Sequence, residues 1–207
     1  MIEAIYKLKD KLLGRGDAAI TVPVFDGALK PNNLLEDATV FASLKSAQDL
    51  ATDGQNLFVA DGQRVLRYDA DIAHELHHFE QPVTALACLL EGGLAVALAG
   101  REVRIVGGPH DGRHWTSIDG VAFSAVNAIS LGSSGKLLVT DGSTEQPAEN
   151  WKHDLMSRGA TGRVCELTLS DGSLRTLATG LSHAFGACNV DGATWVSRRW
   201  RHSVMFV

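Results

Sequence analysis

The 207-residue chain lacks paired cysteines, and this absence limits the classes of protein to which it can belong. Cys88, Cys165 and Cys188 form an odd set without CxxC spacing, and each falls in an apolar, strand-like run. This pattern disfavours a disulfide framework or a zinc site and favours small buried thiols in a reducing compartment. We therefore expect a cytoplasmic protein.

Long apolar runs and an excess of positive charge are also missing. No apolar run approaches the ~20 residues of a membrane span. A net charge of −5 suggests neither a nucleic-acid partner nor a membrane partner. Residues 1–13 alternate apolar and charged side chains at helical spacing, without the apolar core of a signal peptide, which predicts a short amphipathic helix. A basic cluster near residues 198–202 is typical of a solvated strand edge.

Proline is scarce, with 5 residues, whereas glycine is frequent, with 21. Asp-Gly steps recur between apolar runs, where they supply the geometry of tight hairpin turns. The chain therefore favours short strands joined by turns.

A repeat of strand pairs begins near residue 47. Its first strands start at Gln48, Thr84, Asn127 and Phe185, and its second strands start at Leu57, Leu94, Leu137 and Thr194. The offsets between these starts are 9, 10, 10 and 9 residues. A third strand follows each pair, at 65–68, 103–106, 164–167 and 204–207, and fourth strands are expected near 74–79, 114–118 and 174–177.

Four-stranded antiparallel units that repeat every ~40–50 residues are typical of a β-propeller. We predict an all-β fold in which residues 1–46 form an N-terminal helix and lead-in segment, including a strand at 20–25, and residues 47–207 form a partial propeller. The blades are expected near 47–80, 83–118, 126–178 and 184–207. A polar insert at 145–158 accounts for the longest spacing between blades.

The last predicted strand, 204–207, is apolar and belongs to an unfinished blade. Four blades leave the ring incomplete, so either the sequence is a fragment of a longer protein or the ring closes through another copy. An open apolar edge strand invites pairing with a second chain. We therefore expect self-association through this C-terminal edge.

Several segments carry a resemblance to a known family. Val126–Ile129, Val139–Ser143, Thr161–Val164 and the two runs 180–186 and 195–202 resemble the signature elements of the strictosidine synthase-like family, in matching order and spacing. The wider superfamily includes gluconolactonase (regucalcin-like) and paraoxonase proteins. The resemblance covers most of residues 47–207 and implies a six-bladed propeller, of which about four blades are present here.

The first strand of each propeller blade lines the central channel. The heads of these strands, Gln48, Thr84, Asn127 and Phe185, are therefore candidate substrate-binding residues. Asn127 has an alternative role as a strand-entry residue that satisfies backbone groups. His183, which lies just before Phe185, is a candidate general base, because histidine titrates near neutral pH.

The resemblance also allows an expectation about whether the channel binds a metal ion. The lactonase and paraoxonase relatives place an acid and several Asn or Asp residues around a divalent cation, and oxygen ligands of this kind suit Ca²⁺. Asn127 would be the metal ligand if one were bound. Gln48 stands where the family has an acid and Phe185 where it has another Asn, so we expect no cofactor, and Ca²⁺ is doubtful.

Two classes of function follow. One is an enzyme that binds a small organic substrate in the channel and performs ester or lactone hydrolysis, or a carbon–nitrogen condensation as in strictosidine synthase-like proteins. The other is a non-catalytic binding or scaffold propeller, or an inactive fragment.

Overall fold

A computed structural model describes residues 36–207 of the chain. The predicted N-terminal helix at 1–13 and the predicted strand at 20–25 lie outside the described residues. We describe here the compact unit that runs from Ala42 to Val207. None of the helices in the described part of the chain is long and apolar enough to cross a membrane.

The unit consists of consecutive antiparallel sheets whose strands pair in sequence order, which confirms the predicted β-propeller architecture. Blade 1 contains β1 (Ala47–Thr52), β2 (Leu57–Asp61), β3 (Arg64–Asp69) and β4 (Ile72–His78). Blade 2 contains β5 (Val83–Cys88), β6 (Leu94–Leu98), β7 (Glu102–Val106) and β8 (His114–Trp115). A short hairpin of β9 (Ser117–Ile118) and β10 (Val121–Ala122) follows blade 2.

Blade 3 contains β11 (Val126–Leu131), β12 (Leu137–Asp141), β13 (Gly162–Leu167) and β14 (Leu174–Leu181). The described part of blade 4 contains β15 (Ala184–Val190), β16 (Ala193–Arg198) and β17 (Ser203–Phe206). The helices are α1 (Trp151–Met156) and the short 3-10 turns Ser133–Gly135, Ala148–Asn150 and Arg199–Arg201.

The core lies between the blades because the middle strands are buried on both faces. Every residue of β6 is buried, whereas β4 on the outside of blade 1 is almost wholly exposed. The three inter-blade clusters centre on Val83, Leu86 and Val96, on Ile105, Ile129 and Leu167, and on Val164, Ala184 and Val196.

Two predicted details are wrong. The predicted strand at 114–118 is split between β8 and β9, because Trp115 turns to blade 3 and donates its indole N–H to the carbonyl oxygen of Gly172. Cys188 is exposed rather than buried, unlike Cys88 and Cys165. It pairs with Trp195 on the face of β15–β17 that points away from blade 3.

That same side of blade 4 carries exposed apolar residues. Val204 and Phe206 on β17 are 62% and 68% exposed. Within the described residues β17 pairs only with β16. Self-association through this edge remains a prediction.

The register of the first strands is interrupted at one equivalent place in every blade. In β1 the pairing with β2 skips Gln48, in β5 it skips Thr84, in β11 it skips Asn127, and in β15 it skips Phe185. A β-bulge of this kind adds one residue and redirects its side chain. We call Gln48, Thr84, Asn127 and Phe185 the four bulge residues.

A carboxylate holds the start of the first strand in blades 1 and 3. Asp141, at the end of β12, accepts hydrogen bonds from the Ala125 N–H at 2.8 Å and from the Arg163 Nε at 3.1 Å. Asp61, at the end of β2, accepts from the Ser46 N–H at 2.8 Å and from Arg64. Leu98 and Arg198 occupy this position in blades 2 and 4.

The Asp141–Arg163 pair is fully enclosed, and burial raises the pKa of Asp141, with the Ala125 N–H and Arg163 opposing the shift. We expect Asp141→Ala to lower the free energy of unfolding by about 3–5 kcal/mol, because it leaves the Arg163 guanidinium buried without its partner. Urea denaturation measures the loss. Glu149→Ala is the control, since its pair with Arg101 is exposed and is worth about 1 kcal/mol or less. Equal losses in the two variants would contradict this account.

Candidate functional site

A cavity of about 170 Å³ lies where the first strands meet, and it brings the predicted site residues together. The four bulge residues and His183 all line it, and its remaining wall is formed by Ala125, Val126, Ala148, Trp151 and Arg199. The first strands β1, β5, β11 and β15 are neighbours in this order. The repeated bulge therefore places one side chain from each described blade at the same cavity.

Two of the four bulge residues also tie neighbouring blades. The Thr84 hydroxyl donates to the carbonyl oxygen of Val126 at 2.8 Å, and the Asn127 Nδ2 donates to that of Ala184 at 2.9 Å. Each acceptor directly precedes the bulge residue of the next blade. The Thr84 hydroxyl also accepts from the Gly100 N–H, so its hydrogen-bonding capacity is largely used within the protein.

Asn127 keeps part of its capacity for a ligand. Its Oδ1 accepts from the Thr140 hydroxyl at 2.9 Å, while one Nδ2 hydrogen is committed to Ala184. An amide offers two donors and two acceptor lone pairs. Gln48 is less committed, because within the described residues its side chain makes a single hydrogen bond, a 3.4 Å contact with the Ser46 hydroxyl. Among the four bulge residues, these two amides keep polar groups available to a bound molecule.

His183 lies in the tight turn between β14 and β15, with a backbone φ of 56° in the left-handed region. Gly142 has no side chain and therefore lets the His183 ring approach its backbone closely. A Cβ at position 142 would lie 2.8 Å from the His183 Cε1 and 2.7 Å from the Asn127 Nδ2. Real Cβ contacts are longer than this, so glycine at 142 is what permits His183 and Asn127 to share one wall.

A buried carboxylate from the insert faces the His183 ring. Asp154, on α1, places its Oδ2 3.5 Å from the His183 Nδ1, and this oxygen also accepts from the Trp200 Nε1 at 2.6 Å. The distance to Nδ1 is within ion-pair range but is longer than a good hydrogen bond, and the buried Nδ1 has no other partner among residues 36–207. His183 Nε2 makes no hydrogen bond within the same residues. A proton on Nδ1, facing Asp154, leaves Nε2 as a proton acceptor.

The ionisation of His183 is set by opposing influences. Burial lowers its pKa most, Asp154 raises it, and the positive charge of Arg199 lowers it again, with a net result below the ordinary value of 6.5. The lowered pKa favours the neutral form of the His183 imidazole. A neutral histidine in a cavity is suited to accept a proton.

Residues that sequence reasoning did not assign to the site complete it. The Arg199 guanidinium lies 4.7 Å from the centre of the Phe185 ring, 5.3 Å from Trp200 and 5.8 Å from Trp151. The Trp200 ring packs on His183 with a centroid distance of 4.3 Å. Arg199 is exposed, as the expected solvated edge at 198–202 implies, but the expectation missed that the insert brings Trp151 to it from another blade.

The cavity residues do not fit a hard divalent cation. Ca²⁺ prefers six to eight oxygen ligands that include carboxylates. Asn127 Oδ1 already accepts a hydrogen bond from Thr140, none of the lining residues within 36–207 is acidic, and Arg199 adds a positive charge. In the described part of the chain no group of three or more His, Cys, Asp or Glu residues is placed to hold a metal.

Known proteins resemble this chain in structure rather than in sequence. No family model matches it, and no curated protein matches it significantly. A gluconolactonase from Xanthomonas campestris superposes with a TM-score of 0.58 at 21% identity, covering 75% of this chain and 55% of that one. A chain of a nidogen–laminin complex has a TM-score of 0.58 at 16% identity, with 79% and 60% covered.

A third similar structure is a catalytically inactive histidine-to-alanine variant of virginiamycin B lyase from Staphylococcus aureus, with quinupristin. Its TM-score is 0.55 at 14% identity, and 78% of this chain and 52% of that chain are covered. At these identities the likeness shows a shared β-propeller fold. The chain spans little more than half the length of these propellers.

The pKa of His183 tests the geometry of the site. We expect its imidazole to titrate below 6.5, because burial disfavours the charged ring. Asp154→Asn should lower the pKa further and Arg199→Gln should raise it. NMR titration of the His183 ring measures all three values.

The same shift has a consequence for stability. The unfolded chain takes up a proton near pH 6.5, so the stability contributed by neutral His183 is present above that pH. It is lost as the pH falls towards the folded-state pKa. A His183 pKa above 6.5, or shifts of the opposite sign in the two variants, would contradict the arrangement described.

Proposed function

We propose that this chain is a propeller hydrolase-like protein that binds a small organic ester or lactone in the cavity of the four bulge residues, with His183 as general base. The observation that carries the proposal is the position of the His183 ring, which lines that cavity with Asp154 3.5 Å from its Nδ1 and with the amides of Asn127 and Gln48 beside it. The gluconolactonase and the lyase are propeller enzymes, which supports a catalytic role by analogy of fold alone.

The chemistry is a general-base hydrolysis. His183 Nε2 takes a proton from a water molecule whose oxygen attacks the carbonyl carbon, and the imidazolium passes the proton to the departing alkoxide oxygen as the carbon–oxygen bond breaks. The available N–H groups of Asn127 and Gln48 would donate to the developing oxyanion. Asp154 acts as a positioning residue, because its carboxylate favours a proton on Nδ1 and stabilises the imidazolium.

We further propose that the chain belongs to a strictosidine synthase-like or gluconolactonase-like group of propeller proteins. Its support is the order of the segments between Val126 and His202, together with the propeller fold. A carbon–nitrogen condensation would use the same base. The neutral ring of His183 supports proton abstraction in either reaction.

A scaffold or binding propeller is the second candidate. The specific observation in its favour is that Thr84 and Asn127 already tie adjacent blades, so polar residues at these positions have a structural use. The chain of the nidogen–laminin complex is a propeller-like neighbour found in a protein complex. A catalytic test of His183 separates the two candidates.

The test is hydrolysis of p-nitrophenyl acetate and δ-valerolactone by the whole chain. We expect His183→Asn to reduce the rate about 10²–10⁴-fold, the usual contribution of a general base. The wild-type rate should fall only below the lowered pKa of His183, because the ring must be neutral to accept a proton. His74→Asn, on the exposed strand β4, is the matched control and should leave the rate unchanged.

Circular dichroism and the NMR spectrum establish that each variant is folded. A wild-type chain that hydrolyses neither probe, or a folded His183→Asn variant that keeps the wild-type rate, would favour the scaffold candidate and contradict the enzyme.

A further inference from the structure

Arg199 differs from the two arginines that flank it. Arg198 Nε donates to the Ser203 hydroxyl at 3.1 Å, and Arg201 Nε donates to the Ser182 hydroxyl at 3.4 Å. The Arg199 side chain makes no hydrogen bond or ion pair with any described residue, and its contacts are the faces of three aromatic rings. Rings hold a guanidinium through cation–π attraction while leaving its N–H groups free.

The backbone fixes Arg199 relative to His183. The Arg199 N–H donates to the His183 carbonyl oxygen at 3.0 Å, and the Trp200 N–H donates to that of Ser182 at 3.3 Å. His202, with a φ of 47°, ends the 3-10 turn in the left-handed conformation. The turn that carries Arg199 and the turn that carries His183 are thus one hydrogen-bonded unit.

The positive charge of Arg199 at the cavity is not balanced by an acidic residue among the described residues that line it. The lining that residues 36–207 contribute consists of His183, Arg199 and side chains that carry no charge. Asp154 is buried behind His183 and is engaged by Trp200, and Glu149 outside the cavity is paired with Arg101 at 2.5 Å. Arg199 is therefore a cation at the cavity with five N–H donors and no anionic partner within the described residues.

We infer that Arg199 is a specificity-determining residue that binds a carboxylate, so that the cavity selects small molecules with an anionic carboxylate group. The inference rests on the proposed function only in placing a ligand in this cavity. A planar guanidinium matches a carboxylate with two parallel hydrogen bonds, which a lysine cannot do. Gln48 and Asn127 supply uncharged donors nearby, and the ring of Phe185 offers an apolar surface to the rest of the molecule.

The experiment compares benzoate with benzamide, which has a similar shape and no charge. Binding to the whole chain is followed through tryptophan fluorescence, since Trp151 and Trp200 flank Arg199. We expect benzoate to bind about tenfold more tightly than benzamide, as one charge-assisted pair predicts. Arg199→Gln should abolish this preference, and Arg201→Gln, which removes an exposed positive charge outside the cavity, should keep it.

Equal binding of the two probes, binding of neither, or a preference that survives Arg199→Gln would overturn the inference. The His183→Asn variant distinguishes carboxylate binding by Arg199 from the proposed hydrolysis. If this variant still prefers benzoate and the wild-type chain hydrolyses neither ester nor lactone, carboxylate binding is supported and the proposed hydrolysis is contradicted. If the wild-type chain hydrolyses neutral esters but does not prefer benzoate, the proposed hydrolysis is supported and carboxylate binding is contradicted.

Discussion

The repeated bulge in the first strand of each blade is the constraint on which the site depends. A regular strand alternates its side chains between two faces, and in the inner blades these faces pack against neighbouring blades. One extra residue breaks that alternation and turns a single side chain out of the inter-blade layer. Because the bulge falls at an equivalent position in all four described blades, the four redirected side chains meet at one cavity.

The bulges place the residues of the first strands at the cavity, and three further segments supply its ionisable and aromatic groups. The turn before β15 supplies His183, the insert supplies Asp154 and Trp151, and the turn after β16 supplies Arg199. Burial lowers the pKa of the imidazole, the carboxylate behind it favours a proton on Nδ1, and the arginine adds a positive charge without an anionic partner among the described residues. These groups come from loops between strands, whereas the first strands mainly shape and tie the ring.

The fold was predictable because its signals are periodic. Strand starts at nearly constant offsets revealed the blades, and the aligned heads of the first strands identified all four bulge residues without knowledge of the bulge itself. The family resemblance suggested that relatives hold a cation at these positions, and the side chains present here made Ca²⁺ doubtful. Asn127 Oδ1 accepts a hydrogen bond from the Thr140 hydroxyl, and the Thr84 hydroxyl oxygen accepts one from the Gly100 N–H, so part of their capacity as ligands is already used.

The rest of the site could not be predicted because it depends on contacts distant in sequence. A run of basic residues at 198–202 does not reveal that Trp151, from an insert in the preceding blade, lies over Arg199. The close approach of Gly142 to His183 and Asn127 likewise depends on the packing of β12 against two neighbouring elements. Cys188 looked like a core thiol because local hydrophobicity does not tell on which side of a strand the next sheet packs.

A crystal structure of the chain with benzoate bound tests the central claim most directly. We predict that Gln48, Thr84, Asn127 and Phe185 interrupt the strand pairing and surround the ligand, whose carboxylate lies against the Arg199 guanidinium on the same side as the His183 ring. A ligand bound elsewhere, or first strands that pair without the four bulges, would contradict it.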